Sequence, residues 1–261
     1  MKLGIIGIGN MGGAIAQGLI ARKSHFEIIV AEKMQDRLTF AEKQLKLGVL
    51  DKKELVRTCD LTIIAIKPQE CENLFNELGN TSHNQHFISI AAGKSIDYFK
   101  QGLKAASVTR FMPNLAAMVG ESVVGMTTDP SAPENIRMAS LEIASAIGKA
   151  VELPESLIPA ITGLSGSGIA FVFAFIHAMS LGGTLSGIAY NQSLEITLGT
   201  VKGAIKVLEE NKINPIDMLS KVISPAGTTI EGIAQLEKNQ MTYGVMEAIN
   251  KASQRAKELE G

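Results

Sequence analysis

The chain has no tryptophan, three tyrosines, two cysteines and four histidines among 261 residues. Its few aromatics are not interleaved with basic residues, and no block of Lys or Arg occurs. The 25 basic and 26 acidic side chains nearly cancel, so no strong field draws the protein to nucleic acid or to an anionic membrane. Neither partner is expected. Cys59 and Cys71 lack metal-ligand spacing and read as buried thiols in a reducing compartment. His83 and His86 have H-x-x-H spacing but border a polar loop with no third ligand nearby, so no metal is expected. Long hydrophobic runs are also missing. The most apolar stretch, 169–185, contains His177, Ser180, Gly182 and Gly183 and falls short of the ~20 predominantly apolar residues of a spanning helix. It reads as a buried helix. Lys2 and the apolar residues after it mimic a signal peptide, but four glycines and Asn10 interrupt them, against the pattern of such a segment. A soluble, cytoplasmic protein is the expectation.

What the chain does have is glycine in one telling place. Leu3, Ile5 and Ile6 form a short apolar run, Gly7-Ile8-Gly9-Asn10-Met11-Gly12 breaks it, and helical spacing follows from Ala14 to Ala21. This is G-x-G-x-x-G between a strand and a helix, the context that the dinucleotide fingerprint requires. Gly7 permits the tight turn, Gly9 the approach of a pyrophosphate, and Gly12 close packing of helix on strand. The helix start contributes free N–H groups and partial positive charge. Glu32 follows 20 residues after Gly12, at the end of the apolar run 27–31. An acid there accepts from the ribose 2′-OH of NAD and repels the 2′-phosphate of NADP. Lys33 beside it is able to offset that repulsion, so the preference between NADH and NADPH stays open.

Further apolar runs at 61–66, 87–91, 107–112, 123–126 and 148–153 alternate with helical patterns at 34–47 and 133–147. That alternation predicts an α/β fold, a Rossmann-type, doubly wound, mostly parallel sheet covered on both faces, over residues 1–153. Pro68 ends one run and leaves Lys67 at the carboxyl edge, where such sheets bind ligands. Asn114 follows the strand-ending Pro113; it either points its amide at a nicotinamide or is a plain turn residue. After Pro154 the strand signal stops. Segments 155–181, 191–211 and 232–260 read as an all-helical domain over 154–261. Residues 169–179 are apolar on every face around His177, and such a helix must be buried. About 100 residues offer little interior, so burial against a second subunit is inferred. Between two helical segments, Ser224-Pro225-Ala226-Gly227-Thr228-Thr229 offers hydroxyls, N-cap residue types and a helix N-terminus suited to a carboxylate.

With these residues in view, the chain resembles the pyrroline-5-carboxylate reductases essentially end to end. The resemblance is carried by the glycine fingerprint, Ala65-Ile66-Lys67-Pro68, Ala91-Ala92-Gly93 and Met112-Pro113-Asn114. The specific anchors are Thr162-Gly163-Leu164-Ser165-Gly166-Ser167-Gly168 and the Ser224–Thr229 loop followed by Ile230 and Leu236. It implies reduction of the cyclic imine 1-pyrroline-5-carboxylate to L-proline by hydride transfer from NADPH or NADH, in a homodimer or larger homo-oligomer built from dimers. It also implies that Ile6, Gly7, Ile8, Gly9, Asn10, Met11, Ala65, Lys67, Pro68, Ile90, Ala91 and Ala92 line the cofactor. Ser224, Gly227, Thr228 and Thr229 would hold the substrate carboxylate and ring nitrogen, with Thr229 orienting the imine and Glu155 and Thr162 nearby. A protonated imine is already electrophilic, so neither a strong general acid nor a metal is required. Leu115, Ile169, Leu181 and Ala226 depart from the family pattern around the substrate, and Glu32 and Lys52 depart from it beside the adenosine ribose. A β-hydroxy-acid dehydrogenase is disfavoured because no lysine lies between Lys149 and Lys202. A non-catalytic NAD(P)-binding paralogue, or a reductase of a related cyclic imine, are the remaining alternatives.

Overall fold

The structure is a computed structural model and describes residues 1–260. The chain divides into two compact units, residues 1–167 with 250–261, and residues 168–249.

The first unit holds eight strands: β1 (Lys2–Ile6), β2 (Glu27–Ala31), β3 (Gly48–Val49), β4 (Leu61–Ile64), β5 (His86–Ser89), β6 (Ser107–Met112), β7 (Ser122–Thr128) and β8 (Gly148–Glu152). They form one sheet in the order β3-β2-β1-β4-β5-β6-β7-β8. Its helices are α1 (Asn10–Ala21), α2 (Gln35–Thr39), α3 (Lys52–Thr58), α4 (Cys71–Leu78), α5 (Ile96–Leu103), α6 (Glu134–Ala146) and α7 (Ile158–Ile161). Two apolar clusters fill the two faces of the sheet. One gathers Leu3, Ile5, Val30, Ile63 and Phe111 with Ile15 and Leu19 of α1 and Ile143 of α6. The other gathers Ile6, Ile29, Ile64 and Phe87 with Leu55 of α3, Leu74 of α4 and Phe99 of α5. Adjacent residues of one strand, such as Ile5 and Ile6, feed opposite clusters, which is why these strands read as continuous apolar runs.

The strand order reverses at β1, which pairs with β2 on one side and β4 on the other. In an open α/β sheet the crevice beyond the carboxyl ends at such a reversal is where ligands bind. One expectation is refined here: β6 and β7 are antiparallel, while the other pairs are parallel. Only a short 3₁₀ turn, Leu115–Val119, joins them, and a parallel crossover needs a dozen residues or more. The expected helix 34–47 is α2 followed by a π-helical turn, Phe40–Gln44, and β3 was not anticipated from its two residues.

The second unit contains α8 (Gly168–Leu185), α9 (Tyr190–Asn211), α10 (Pro215–Val222), α11 (Thr228–Lys238) and the first half of α12 (Met241–Glu258). The helical segment expected over 232–260 divides between α11 and α12, where Gln240 takes φ +56°. The helices α8 and α9 approach closely: a Cβ on Gly183 would lie 2.0 Å from Ser193 Oγ, and that hydroxyl donates to the Ser180 carbonyl at 2.8 Å. Elsewhere α8 is poorly covered by its own chain, with Phe173 52% and Phe175 40% exposed. The continuous helical run Glu155–Leu185 is 31 residues and contains an 18-residue window of mean hydropathy 1.7, long and apolar enough to cross a membrane by length and composition. The sequence estimate of this stretch was short because it began at Ile169; the helical turns from Glu155 onward extend it.

Candidate active site

The glycine fingerprint folds as its spacing requires. Gly7 has φ +93°, and a Cβ there would lie 2.6 Å from the Ala65 carbonyl oxygen. A Cβ on Gly12 would stand 2.0 Å from the Gly7 carbonyl oxygen. Gly9 is the N-cap of α1, and no side chain caps that helix start. A Cβ on Gly9 would project to within 3.2 Å of the Arg37 guanidinium. Bare N–H groups at an uncapped helix start, behind a turn only glycine can make, form a cradle for a diphosphate.

That turn opens on a cleft of about 580 Å³ at the carboxyl ends of β1, β2 and β4. Of the residues expected at a cofactor, Ile6, Gly7, Gly9, Asn10, Met11, Glu32, Lys33, Ala65, Lys67, Pro68, Ile90, Ala91 and Ala92 line it. Ile8 faces a smaller hollow behind the glycine turn, shared with Gln17 and Met118. Gly12 is spent on the helix–strand contact. Asn114 does not line the cleft. Its Oδ1 accepts from the Ala116 N–H at 3.0 Å, and its Nδ2 donates to Ser165 Oγ at 3.0 Å. The amide therefore caps the turn between β6 and β7, in keeping with the second of its two readings, the turn residue.

Glu32 is held firmly. Its Oε2 accepts from the Ile8 N–H at 3.0 Å, and its Oε1 accepts from the N–H groups of Lys33 at 2.8 Å and Met34 at 3.1 Å. Burial pushes its pKa up, but those three N–H groups and Arg37, 3.5 Å away, outweigh burial and hold the carboxyl below its ordinary value. Lys33 is ion-paired with Glu70, and Lys52 with Glu77 at 2.6 Å. Arg37, Glu70 and Glu77 line the cleft and were missed in the sequence. Arg37 was within reach, since the first turn after an acidic strand end borders the same crevice. Glu70 and Glu77 had no local signal, because their partners are 37 and 25 residues away.

The other expected substrate residues fall in both units. Glu155, in the first, accepts at Oε1 from the Ile96 N–H at 2.7 Å and from Arg110 at 3.3 Å. Thr162 begins a π-helical turn, Thr162–Ser167, and its hydroxyl donates to the Ile158 carbonyl at 2.7 Å. In the second unit the Gly227 N–H donates to the Ser224 carbonyl at 3.0 Å. A Cβ on Gly227 would lie 2.3 Å from Ser224 Oγ. The N-cap of α11 is Gly227, with no side-chain capping bond, so Thr228 and Thr229 are the first helical residues and not caps. Among the described residues their hydroxyls have no hydrogen-bond partner. Ala226 takes φ +57°, a left-handed conformation that costs a non-glycine residue about 1–2 kcal/mol.

Both cysteines are buried. Burial, with the Asp60 charge adding to it at Cys59, pushes each thiol up to about 11, which makes them poor nucleophiles. Among the described residues no group of three or more His, Cys, Asp or Glu could hold a metal.

Known proteins resemble the chain in both halves. The family model for pyrroline-5-carboxylate reductase dimerisation matches residues 155–259, and that for NADP oxidoreductase, coenzyme F420-dependent, matches residues 2–93. The pyrroline-5-carboxylate reductase of Methanosarcina acetivorans is 41% identical over 99% of this chain and 97% of its own length. That of Aquifex aeolicus is 38% identical over 99% and 97%. The crystal structure of Plasmodium falciparum pyrroline carboxylate reductase with NADP bound superposes with a TM-score of 0.88 at 25% identity, covering 100% of this chain and 98% of that one.

Proposed function

The chain belongs to the pyrroline-5-carboxylate reductase family, and from that premise we propose that it reduces 1-pyrroline-5-carboxylate to L-proline with NADH or NADPH. The observation that carries the reading is the presence, in one chain, of two uncapped helix starts with different equipment. At α1, glycines leave room for a diphosphate. At α11, two unpartnered threonine hydroxyls flank free N–H groups, a setting for a small carboxylate.

The net reaction adds a hydride to the imine carbon and leaves a proton on the ring nitrogen. When bound, the reduced nicotinamide supplies the hydride. Gly7, Gly9 and the α1 start would hold the diphosphate, and Ala65, Lys67, Pro68, Ile90, Ala91 and Ala92 would border the rest of the cofactor. Ser224, Gly227 and Thr228 would bind the substrate carboxylate, and the Thr229 hydroxyl would orient the ring nitrogen. A cation already drawn to hydride needs positioning more than acid catalysis, so most of the rate comes from holding the two reactants in register. Glu155, buffered by Arg110, and Thr162 would border the substrate.

In this reading residues 1–153 bind the nucleotide and residues 154–261 form the helical dimerisation and substrate domain. The exposed Phe173 and Phe175 of α8 would be covered in a homodimer or a larger assembly of dimers, which also accounts for the hydropathy of Glu155–Leu185 without a membrane. Balanced charge supports a cytoplasmic enzyme with no nucleic-acid partner.

The test is the initial rate of cofactor oxidation with 1-pyrroline-5-carboxylate, for the wild type and for Thr229→Val. Loss of one hydrogen bond to a charged group, about 1.5–3 kcal/mol, predicts a roughly 10- to 100-fold lower kcat/KM. Undiminished kcat/KM removes Thr229 from the mechanism; no turnover by the wild type removes the reaction.

A further inference from the structure

We propose that the adenosine end of the cleft selects NADH over NADPH, with Glu32 as the selecting residue. This rests on the reductase reading and sharpens it.

Three N–H groups from two segments of chain grip the Glu32 carboxylate: Ile8 from the glycine turn, and Lys33 and Met34 from the residues after β2. Oε1 takes two of these bonds and Oε2 takes one. An ionised carboxylate offers about four acceptor sites, so one site remains on Oε2, the oxygen that also stands 3.5 Å from the Arg37 guanidinium. A ribose 2′-hydroxyl has the donor to fill it. A 2′-phosphate has only acceptors and close to two negative charges, and would meet an acceptor of the same sign. Nor can the carboxylate swing aside, because that would strand the Ile8 N–H inside the turn that cradles the diphosphate.

Repulsion at one carboxylate is reversible if spare cations stand nearby, and the two lysines closest along the chain to this end of the cleft are already paired. Lys33 is paired with Glu70 and Lys52 with Glu77. Arg37 faces Glu32 itself and lies against Gly9 in the glycine turn, where its charge serves NADH and NADPH alike. The adenosine end therefore carries three cations and three carboxylates. A phosphate would have to break an existing ion pair to obtain a counter-charge. Arg, the residue best shaped to clasp a phosphate, already faces the Glu32 carboxylate at 3.5 Å, so a phosphate would compete with that carboxylate for it.

The experiment is a titration of the full-length protein with NADH and with NADPH, without imine, read by nicotinamide fluorescence and by the shift in Tm. NADH is expected to bind at least tenfold more tightly. Glu32→Gln, which removes the charge and keeps the shape, should narrow that ratio at least tenfold, mainly through tighter NADPH. Because Glu32 also supports the Ile8 turn, Glu70→Gln provides an independent variant. It leaves Glu32 intact, frees Lys33, and should raise NADPH affinity several-fold more than NADH affinity. Equal or tighter NADPH binding by the wild type overturns the proposal alone, since the reductase reading accepts either cofactor. Failure of both cofactors to bind overturns it together with that reading. A ratio unmoved in both variants removes Glu32 as the selecting residue.

Discussion

Arg110 of β6 and Glu260, 150 residues further along the chain, form an ion pair within the first unit. The Arg110 side chain is 3% exposed, and its second carboxylate partner is Glu155. A guanidinium taken out of water is tolerable only when counter-charges surround it, and removing the cation from such a cluster costs more than removing one anion. Glu260→Gln, with Glu155 still in place, should lower unfolding stability by about 1–3 kcal/mol. Arg110→Ala should cost about 3–5 kcal/mol, because two carboxylates then face each other. Urea unfolding midpoints measure both, and an Arg110→Ala midpoint equal to that of Glu260→Gln would contradict this account.

The glycine turn allows a sharper contrast between two neighbouring residues. A methyl at Gly12 would meet the Gly7 backbone carbonyl, which has nowhere to go, whereas at Gly13 the nearest atom is 3.7 Å away. Gly12→Ala should therefore lose about 1–3 kcal/mol of stability and at least tenfold in NADH affinity as the turn is displaced. Gly13→Ala should be neutral or gain up to about 1 kcal/mol from helix propensity. Thermal melts with and without NADH separate the two.

Acid should loosen the same turn. Glu32 is held below its ordinary pKa by the N–H groups that outweigh its burial. In the unfolded chain it titrates near about pH 4.3, so between that pH and its folded value the unfolded state binds more protons. Its contribution to stability is thus complete above about pH 4.3 and is lost as pH falls through the folded value. The stability gap between the wild type and Glu32→Gln should stay constant from neutral pH to about pH 5 and close below it. A gap that widens on acidification would reverse the assignment.

The apolar face of α8 makes a prediction about assembly. Phe173 and Phe175 are about half exposed in the single chain, and burying such a side chain is worth about 1.5–3 kcal/mol. In a homodimer that covers them, Phe173→Glu with Phe175→Glu should shift sedimentation from dimer to monomer, or leave the protein aggregated. A wild type that sediments as a stable monomer would argue against the proposed assembly.

The candidate site was legible to different depths. The cleft residues around Gly7, Ala65 and Ala91 were visible because strand ends and glycines are local signals, and a sheet reversal gathers strand ends into one crevice. Asn114 stayed open in the sequence because an amide behind a proline looks the same whether it caps a turn or reaches a ligand. Only the positions of Ala116 and Ser165 decide between them. Thr228 and Thr229 looked like caps by residue type, yet Gly227 starts the helix and leaves both hydroxyls open.

By itself the sequence determined the element types, the glycine cradle, the change from alternating strands and helices to helices alone, and the acid at the end of β2. Each depends on interactions within a few residues along the chain, through turn sterics, periodicity or helix starts. The tertiary structure decided the antiparallel pairing of β6 with β7, the confinement of Lys33 and Lys52 by Glu70 and Glu77, and the meeting of Arg110 with Glu260. The ion pairs join segments 25 to 150 residues apart, and charge pairing leaves no periodicity in the chain from which such distances can be read; β6 and β7 pair across 13 to 19 residues, and an apolar strand pattern looks the same in either direction.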